Sequence, residues 1–380
     1  MRRENSSTNN ESNQEFQQSR FTTVIGCILC LIGIFLLVSN EGEAASVSHS
    51  LNEALSHIVI IENIYDLSKD YEDRLVYFSG PLWINEPLTE PDYGVIIESV
   101  KLKRRVQVYQ WVEIEEERTY ENYEDGKHYY YTTEWKDKLI DSDQFYIRYG
   151  HENPKEMPIK SQIQIADQVK IGNIILGSEL KKKFNDFREI TSDQRPERSD
   201  IKMHAGLYYH SSDLWNTQVG DVRVLLSFAG KAGDIYTIVG KFVRGTIVPF
   251  ITPHGNEILL QRKNKVTIEI MFHLEHVYNY WRTWIMRCIG WLVIFMSTTC
   301  LSNTIKKITL NSQYLSGIIP LDSLALTTSF SISILVVGIG WLWYRPIIAI
   351  CITLLSTFPF LYYAFFSSPN QTRERYHRIT

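Results

Sequence analysis

FTTVIGCILCLIGIFLLVS, residues 21–39, contains no charged side chain, and its reading decides what kind of protein this is. About 20 consecutive apolar residues carry a helix across the hydrocarbon core of a bilayer, so the run predicts a transmembrane helix. Three further stretches read the same way: 285–305, 324–343 and 347–366. Arg287 stands close enough to the start of the second to snorkel to the interface. Only Tyr344-Arg345-Pro346 separates the last two, which predicts a tight helical hairpin with Trp341, Trp343 and Tyr344 as an aromatic belt at its turn. The competing reading of residues 21–39 is a cleaved signal peptide, because Gly42-Glu43-Ala44 resembles a small-x-small cleavage site. A long apolar run behind a polar tail favours a retained span.

Four spans place both termini on one side. Lysines and arginines collect on the cytoplasmic side of membranes. Here Arg2, Arg3, Arg20, Lys306, Lys307, Arg373, Arg375 and Arg378 fall on one side, against Arg282, Arg287 and Arg345 on the other. The expected organisation is a disordered cytoplasmic or nucleoplasmic tail (1–20), spans at 21–39, 285–305, 324–343 and 347–366, a cytoplasmic loop (306–323) and a cytoplasmic tail (367–380). Residues 40–284 then form one luminal domain. The Asn-x-Ser/Thr sequons at Asn5, Asn10 and Asn370 all lie in the tails and none lies in 40–284, which fits that orientation.

A net charge of -4 and the lack of a basic stripe with interleaved aromatics set nucleic acid aside as a partner. The five cysteines, Cys27, Cys30, Cys288, Cys300 and Cys351, all sit in apolar stretches, so the polar middle has neither a disulfide framework nor a thiolate zinc site. Cys27 and Cys30 have CxxC spacing at mid-membrane depth and read as small packing residues. Within the middle, Leu51, Leu55, Ile58 and Val59 predict an amphipathic helix. Val106, Val108, Val112 and Ile114 alternate with polar or aromatic neighbours, as strands do, and 161–165, 222–228 and 235–243 read likewise. Ala229-Gly230-Lys231-Ala232-Gly233 predicts a hairpin loop between the last two. A short helix is expected at 179–187, and 266–284 as an amphipathic approach to the second span. The fold class is therefore four transmembrane helices plus a large, mostly β (α+β) luminal domain.

Chemistry is sparse. Lys101, Lys103, Arg104 and Arg105 could bind phosphate or lipid headgroups, but Glu113, Glu115, Glu116 and Glu117 follow on the same strand, so a solvated charged edge is the simpler account. His273 and His276 suggest a metal pair without HExxH or HxxEH spacing or an apparent third ligand. Tyr129-Tyr130-Tyr131 and Trp135 fit sheet packing. No Walker loop, nucleophile elbow or kinase set is present, so neither enzyme nor cofactor is expected. In the third span Ser329, Ser333, Gly338 and Gly340 form a stripe of small residues suited to close helix packing and self-association.

The order of several motifs resembles the LUMA family of endoplasmic-reticulum and inner-nuclear-membrane proteins. Asn40-Glu41-Gly42-Glu43-Ala44 is similar to the end of that family's first span. Pro91-Asp92-Tyr93-Gly94-Val95, Lys101 to Val106 and Tyr109-Gln110-Trp111-Val112-Glu113 look like its most recognisable stretch. Tyr131-Thr132-Thr133-Glu134-Trp135, Gly150-His151-Glu152-Asn153-Pro154, Gly220-Asp221-Val222-Arg223-Val224 and Gly340-Trp341-Leu342-Trp343-Tyr344-Arg345-Pro346 follow in order. Together they run from about residue 40 to 346. The resemblance implies a homo-oligomeric scaffold that organises the nuclear envelope and endoplasmic reticulum and contacts emerin and lamins, with Lys101, Lys103, Arg104, Arg105 and Trp111 as a family-motif surface. It carries over no catalytic residue. The alternative function is a luminal lipid-binding or membrane-stress-sensing protein.

Overall fold

The computed structural model describes residues 4–65, 69–120, 123–191, 198, 200–311, 324–342 and 346–366. The 343–345 turn, the 367–380 tail and most of the 306–323 loop, all named above, lie outside these. The chain divides into a helical unit (1–55, 253–256 and 272–380) and a largely β unit (56–252 and 257–271).

In the helical unit α1 covers Glu4–His57 and α3 covers Ile268–Asn311. Neither contains a proline, and isolated glycines do not stop a helix, so the first span runs on through Leu51 and Leu55, and the approach to the second span runs on in α3. Ile58 and Val59, expected in the amphipathic helix, lie past its end, Val59 in a short strand. The tail expected to be disordered is helical from Glu4. Both helices are long and apolar enough to cross a membrane. The helices α4 (Leu324–Trp341) and α5 (Pro346–Phe366) are shorter and uncharged, and α4 stops two residues before the expected end.

α1 and α3 pack antiparallel along a seam of small residues. The hydroxyls of Thr23 and Thr304 are 2.9 Å apart, and Ser297 Oγ donates to the carbonyl of Gly26 at 2.7 Å. A Cβ at Gly33 would lie 2.5 Å from the Ile294 side chain, and one at Gly290 would lie 2.6 Å from Leu37. Helices in lipid gain from such close approach because no hydrophobic effect drives them together.

The β unit holds two seven-stranded sheets. In the first, the strand Leu75–Ile84 pairs with Val169–Ile171, which pairs with Ile174–Leu176. That strand runs parallel to Thr246–Val248, which pairs with Ile235–Val243, and the last returns to Leu75–Ile84. Five strands thus close a ring around Val76, Phe78, Ile171, Ile174, Ile238 and Ile247, all buried. The helix α2 (Ser178–Lys182) and the turn after it add Leu180 and Phe184 to this core. It is shorter than the helix expected over 179–187.

In the second sheet the strands follow the order Ile201–His204, Leu207–His210, Val222–Lys231, Ser99–Tyr120, Tyr123–Lys136, with Gln162–Ile165 and Arg188–Glu189 on the flanks. Val106 and Val108 are buried as their alternation predicts, against Val222, Val224 and Leu226. Val112 is only half-buried and Ile114 exposed, because there, among the described residues, Ser99–Tyr120 has only Tyr123–Lys136 as a ladder partner. The expected hairpin at 229–233 is not one. Val222–Lys231 pairs with Ser99–Val108 in one sheet and Ile235–Val243 with Leu75–Pro81 in the other, so the loop carries the chain between sheets. Gly230 and Gly233 take left-handed φ of 69° and 86° there.

Candidate functional site

Two residues past the uncharged run of α1, Glu41 is 5% exposed. Arg287 of α3 grips it with both prongs, Nε to Oε1 at 2.7 Å and Nη2 to Oε2 at 2.8 Å. Trp341, at the end of α4, donates its indole Nε1–H to the same Oε2 at 2.7 Å. The guanidinium also lies over the rings of Trp284 and Trp341, 4.9 and 5.7 Å from their centroids. An ion pair withdrawn from water is tolerable only when its remaining valences are met, and three N–H donors on one carboxylate meet them. Gly340 makes this possible: a Cβ there would come within 3.2 Å of the Cβ of Glu41, so α4 can bring Trp341 in. Arg287 was expected to snorkel outward, whereas it turns inward to a carboxylate on another helix.

Neighbouring turns repeat the pattern in neutral form. Asn40 donates to the carbonyl of Thr283 at 3.2 Å and Asn279 to that of Ala44 at 3.0 Å. Arg282 pairs with Glu43 at 2.8 Å in a more exposed position. Asn256 reaches Ser46 and Ser50, and His254 lies 3.5 Å from Glu53. Burial, and then the neighbouring charge of His273, hold His276 below the usual imidazole range. No group of three or more metal-ligating side chains occurs among the described residues.

The four small residues proposed for self-association are occupied within one chain. Ser329 and Ser333 are buried and donate to the carbonyls of Leu326 and Ser329. A Cβ at Gly338 would meet Thr353 of α5 at 3.0 Å, and Gly340 faces Glu41.

The basic cluster of the β unit does not form one surface. It sits on an interior strand rather than an edge, between Gln162–Ile165 and Val222–Lys231. Lys101 is buried and donates Nζ to the carbonyl of Lys182 and to Asn185 Oδ1, and burial lowers its pKa. Lys103 lies 5.3 Å over the ring of Phe187. Arg104 pairs with buried Glu90 at 2.8 Å, and Arg105 with exposed Asp137 at 2.7 Å. Trp111 stands edge-on to His151 at 4.7 Å, and Asn153 pairs with its backbone, accepting from the N–H at 2.7 Å and donating to the C=O at 3.0 Å.

Motifs far apart in sequence therefore meet. The Gly150–Pro154 motif docks on Trp111 through Asn153, and its His151 stacks on Tyr131 at 3.9 Å. Arg223 of the Gly220–Val224 motif lies 4.7 Å over Trp135. Tyr93 is buried with its hydroxyl 3.1 Å from His210 Nε2, and burial pushes its pKa up to about 12.

A protein with two long apolar helices locked by a buried ion pair, and a separate, largely β unit, belongs to the membrane-anchored class. More narrowly, the chain belongs to the family described as Transmembrane protein 43, whose model matches residues 108–346, and this is the LUMA family. It is similar to the Transmembrane protein 43 homolog of Drosophila melanogaster, 39% identical over 90% of this chain and 93% of that one. The Homo sapiens and Mus musculus Transmembrane protein 43 are 33% and 31% identical, each over 89% of this chain and 88% of theirs. No solved structure matches.

Proposed function

We propose that the chain is a non-enzymatic scaffold of the nuclear envelope and endoplasmic reticulum, which self-associates and binds nuclear-envelope proteins. In this reading four helices cross the bilayer, both termini face the cytoplasm or nucleoplasm, and the β unit lies in the lumen. The observation that carries it is how the family motifs are used. Glu41 is bound by Arg287 and Trp341, and His151 and Asn153 by Tyr131 and Trp111, so these polar groups hold elements of the fold to one another. Such use supports an architectural role.

Support for the span count comes from the order of contacts within the helical unit. Thr23 meets Thr304 at one end of the α1–α3 pair. Thr298 donates to the carbonyl of Ala325 toward that same end, while Trp341 reaches Glu41 at the other. α4 therefore runs back along the pair, as a third crossing would, and α5 as a fourth. Emerin and lamins enter as partners through the family resemblance alone.

Proximity labelling from the N-terminal tail in cells tests the reading. Inner-membrane and lamina proteins among the labelled set are expected. Labelling confined to lipid-handling enzymes would overturn it in favour of the lipid-sensing alternative. For self-association, crosslinking between differently tagged copies should fall in Gly338→Leu if a second copy uses that stripe, and an undiminished yield assigns the contact elsewhere.

A further inference from the structure

Two cavities of the helical unit share a wall. One, of about 500 Å³, is the more polar of the two, with Ser48, His49, Asn279, Tyr280 and Thr283 in its lining beside apolar surface. The other, of about 460 Å³, is lined by Cys288, Phe330, Ile334, Val337 and Leu355. Trp284, Arg287 and Trp341 line both. Each is in the size range of sites that take a small molecule. The shared wall falls where the polar approach of α3 gives way to its apolar stretch, the depth at which tryptophans mark a membrane interface.

We propose that the paired cavities hold one zwitterionic glycerophospholipid, its phosphate–ammonium headgroup in the polar chamber and one acyl chain in the apolar groove. A ligand that fills both must be amphiphilic, and a bilayer supplies such molecules at this depth. Arg287 selects phosphate: its bonds to Glu41 use Nε and Nη2, and among the described residues Nη1 makes no hydrogen bond. Glu41 selects against net negative charge. It already balances Arg287, so an anionic headgroup would bring an uncompensated charge beside a buried carboxylate, whereas an ammonium group gains from that carboxylate and from the ring of Tyr280 in the same lining. The groove beyond offers no charge but Arg287, which suits an acyl chain. This site goes beyond the scaffold reading and does not depend on it, since a structural protein can hold a lipid as part of its fold.

The test uses the full-length chain in mild detergent with a phosphatidylcholine that carries a photoreactive diazirine in one acyl chain. Label is expected on the α4 peptide containing Phe330 to Val337. Val337→Trp, which fills the groove, and Ala45→Trp, which fills the chamber, should each lower the yield by about fivefold or more, roughly a kilocalorie of binding. Ile339→Trp, exposed and outside both linings, should leave it unchanged. Unlabelled phosphatidylcholine should compete better than phosphatidylglycerol, and both better than diacylglycerol, which lacks phosphate. Wild-type yields in both filling variants would overturn the proposal. If those variants do not fold, competition on the wild type decides alone: equal competition by all three lipids means only an annular layer and overturns it too.

Discussion

In the helical unit the bonds converge on one buried carboxylate: Glu41 accepts two hydrogen bonds from Arg287 and one from Trp341. In the β unit polar side chains form a mesh: Glu113 accepts from Tyr131 and from the backbone of Tyr146, Tyr131 accepts from Ile147, and Asn153 serves Trp111 and Ile140. Several of these groups are half-exposed, so water can replace a lost partner. Glu41 and Arg287 are 5% and 15% exposed, so water replaces a lost partner there less readily. The difference teaches where each unit is vulnerable: at one point in the first, and nowhere singly in the second.

The largest expected effect breaks that point. Glu41→Ala leaves Arg287 withdrawn from water without its counter-charge, and losing one partner of a buried pair costs about 3–5 kcal/mol. Thermal unfolding in nanodiscs should show the helical unit destabilised, while near-ultraviolet circular dichroism of the β unit holds. Glu41→Leu combined with Arg287→Met should recover most of the loss, because a hydrophobic replacement of the whole pair is close to neutral. No recovery in the double variant would mean that the pair also selects the packing of α4.

Next come the glycines of the seam. Gly33→Ala sets a methyl 2.5 Å from the Ile294 side chain and should cost about 1–3 kcal/mol through overpacking. At Gly42, in the same helix, an added methyl would have nothing within 4 Å of it, so Gly42→Ala should instead gain about 0.5–1 kcal/mol of helix propensity. Opposite signs from one substitution type in one helix are the readout, measured as shifts in melting temperature. Equal signs would mean that the α1–α3 contact is looser than it stands here.

In the β unit Asn153→Ala removes a side chain that bonds to Trp111 on both backbone groups and to the carbonyl of Ile140. The site is half-buried, so the loss should be about 1–3 kcal/mol, less than at Glu41 although three side-chain bonds go in each case. Chemical denaturation of the full chain, followed by tryptophan fluorescence, measures it. A loss as large as that of Glu41→Ala would erase the distinction between point and mesh.

What the sequence disclosed follows the same division. Uncharged runs and strand alternation are local signals, so the long apolar helices and the burial of Val106 and Val108 were legible. Glu41 and Arg287 lie 246 residues apart, and no periodicity joins them. The clue available was a lone arginine at the edge of one apolar run and a glutamate just past the edge of another. Ala229 to Gly233 misled because a glycine-rich loop between alternating strands looks the same whether the strands pair with each other or join different sheets. Ser329, Ser333, Gly338 and Gly340 mark places where a helix is thin, but sequence cannot tell a neighbour in the same chain from one in another. Gly26, Gly33 and Gly290, which form the seam, carried no signal beyond their size.

The smallest effect sharpens the comparison most, because it repeats the chemistry of Glu41 and Arg287 in water. Arg105 holds Asp137 with Nε and Nη2 at 3.0 and 2.7 Å, the same two-pronged grip, but both side chains are nearly half exposed, 47% and 45%. The hydrogen bonds from Arg105 are the main cause that holds the Asp137 carboxyl below its ordinary value of 3.8. A carboxylate depressed in the folded state adds stability above its unfolded pKa and loses it as pH falls through the folded one. The contribution should therefore be complete at neutral pH and fade below about pH 4. Solvent screening limits it to roughly 0.2–1 kcal/mol. Asp137→Asn should lower stability by that amount at neutral pH, by less in high salt, and not at all once the wild-type carboxyl is protonated. Denaturation midpoints of the two proteins across pH 2–7 measure this directly. If the gap between them persisted unchanged at the acid end, charge would not be its source, and geometry alone would have to explain why one grip matters so much more than the other.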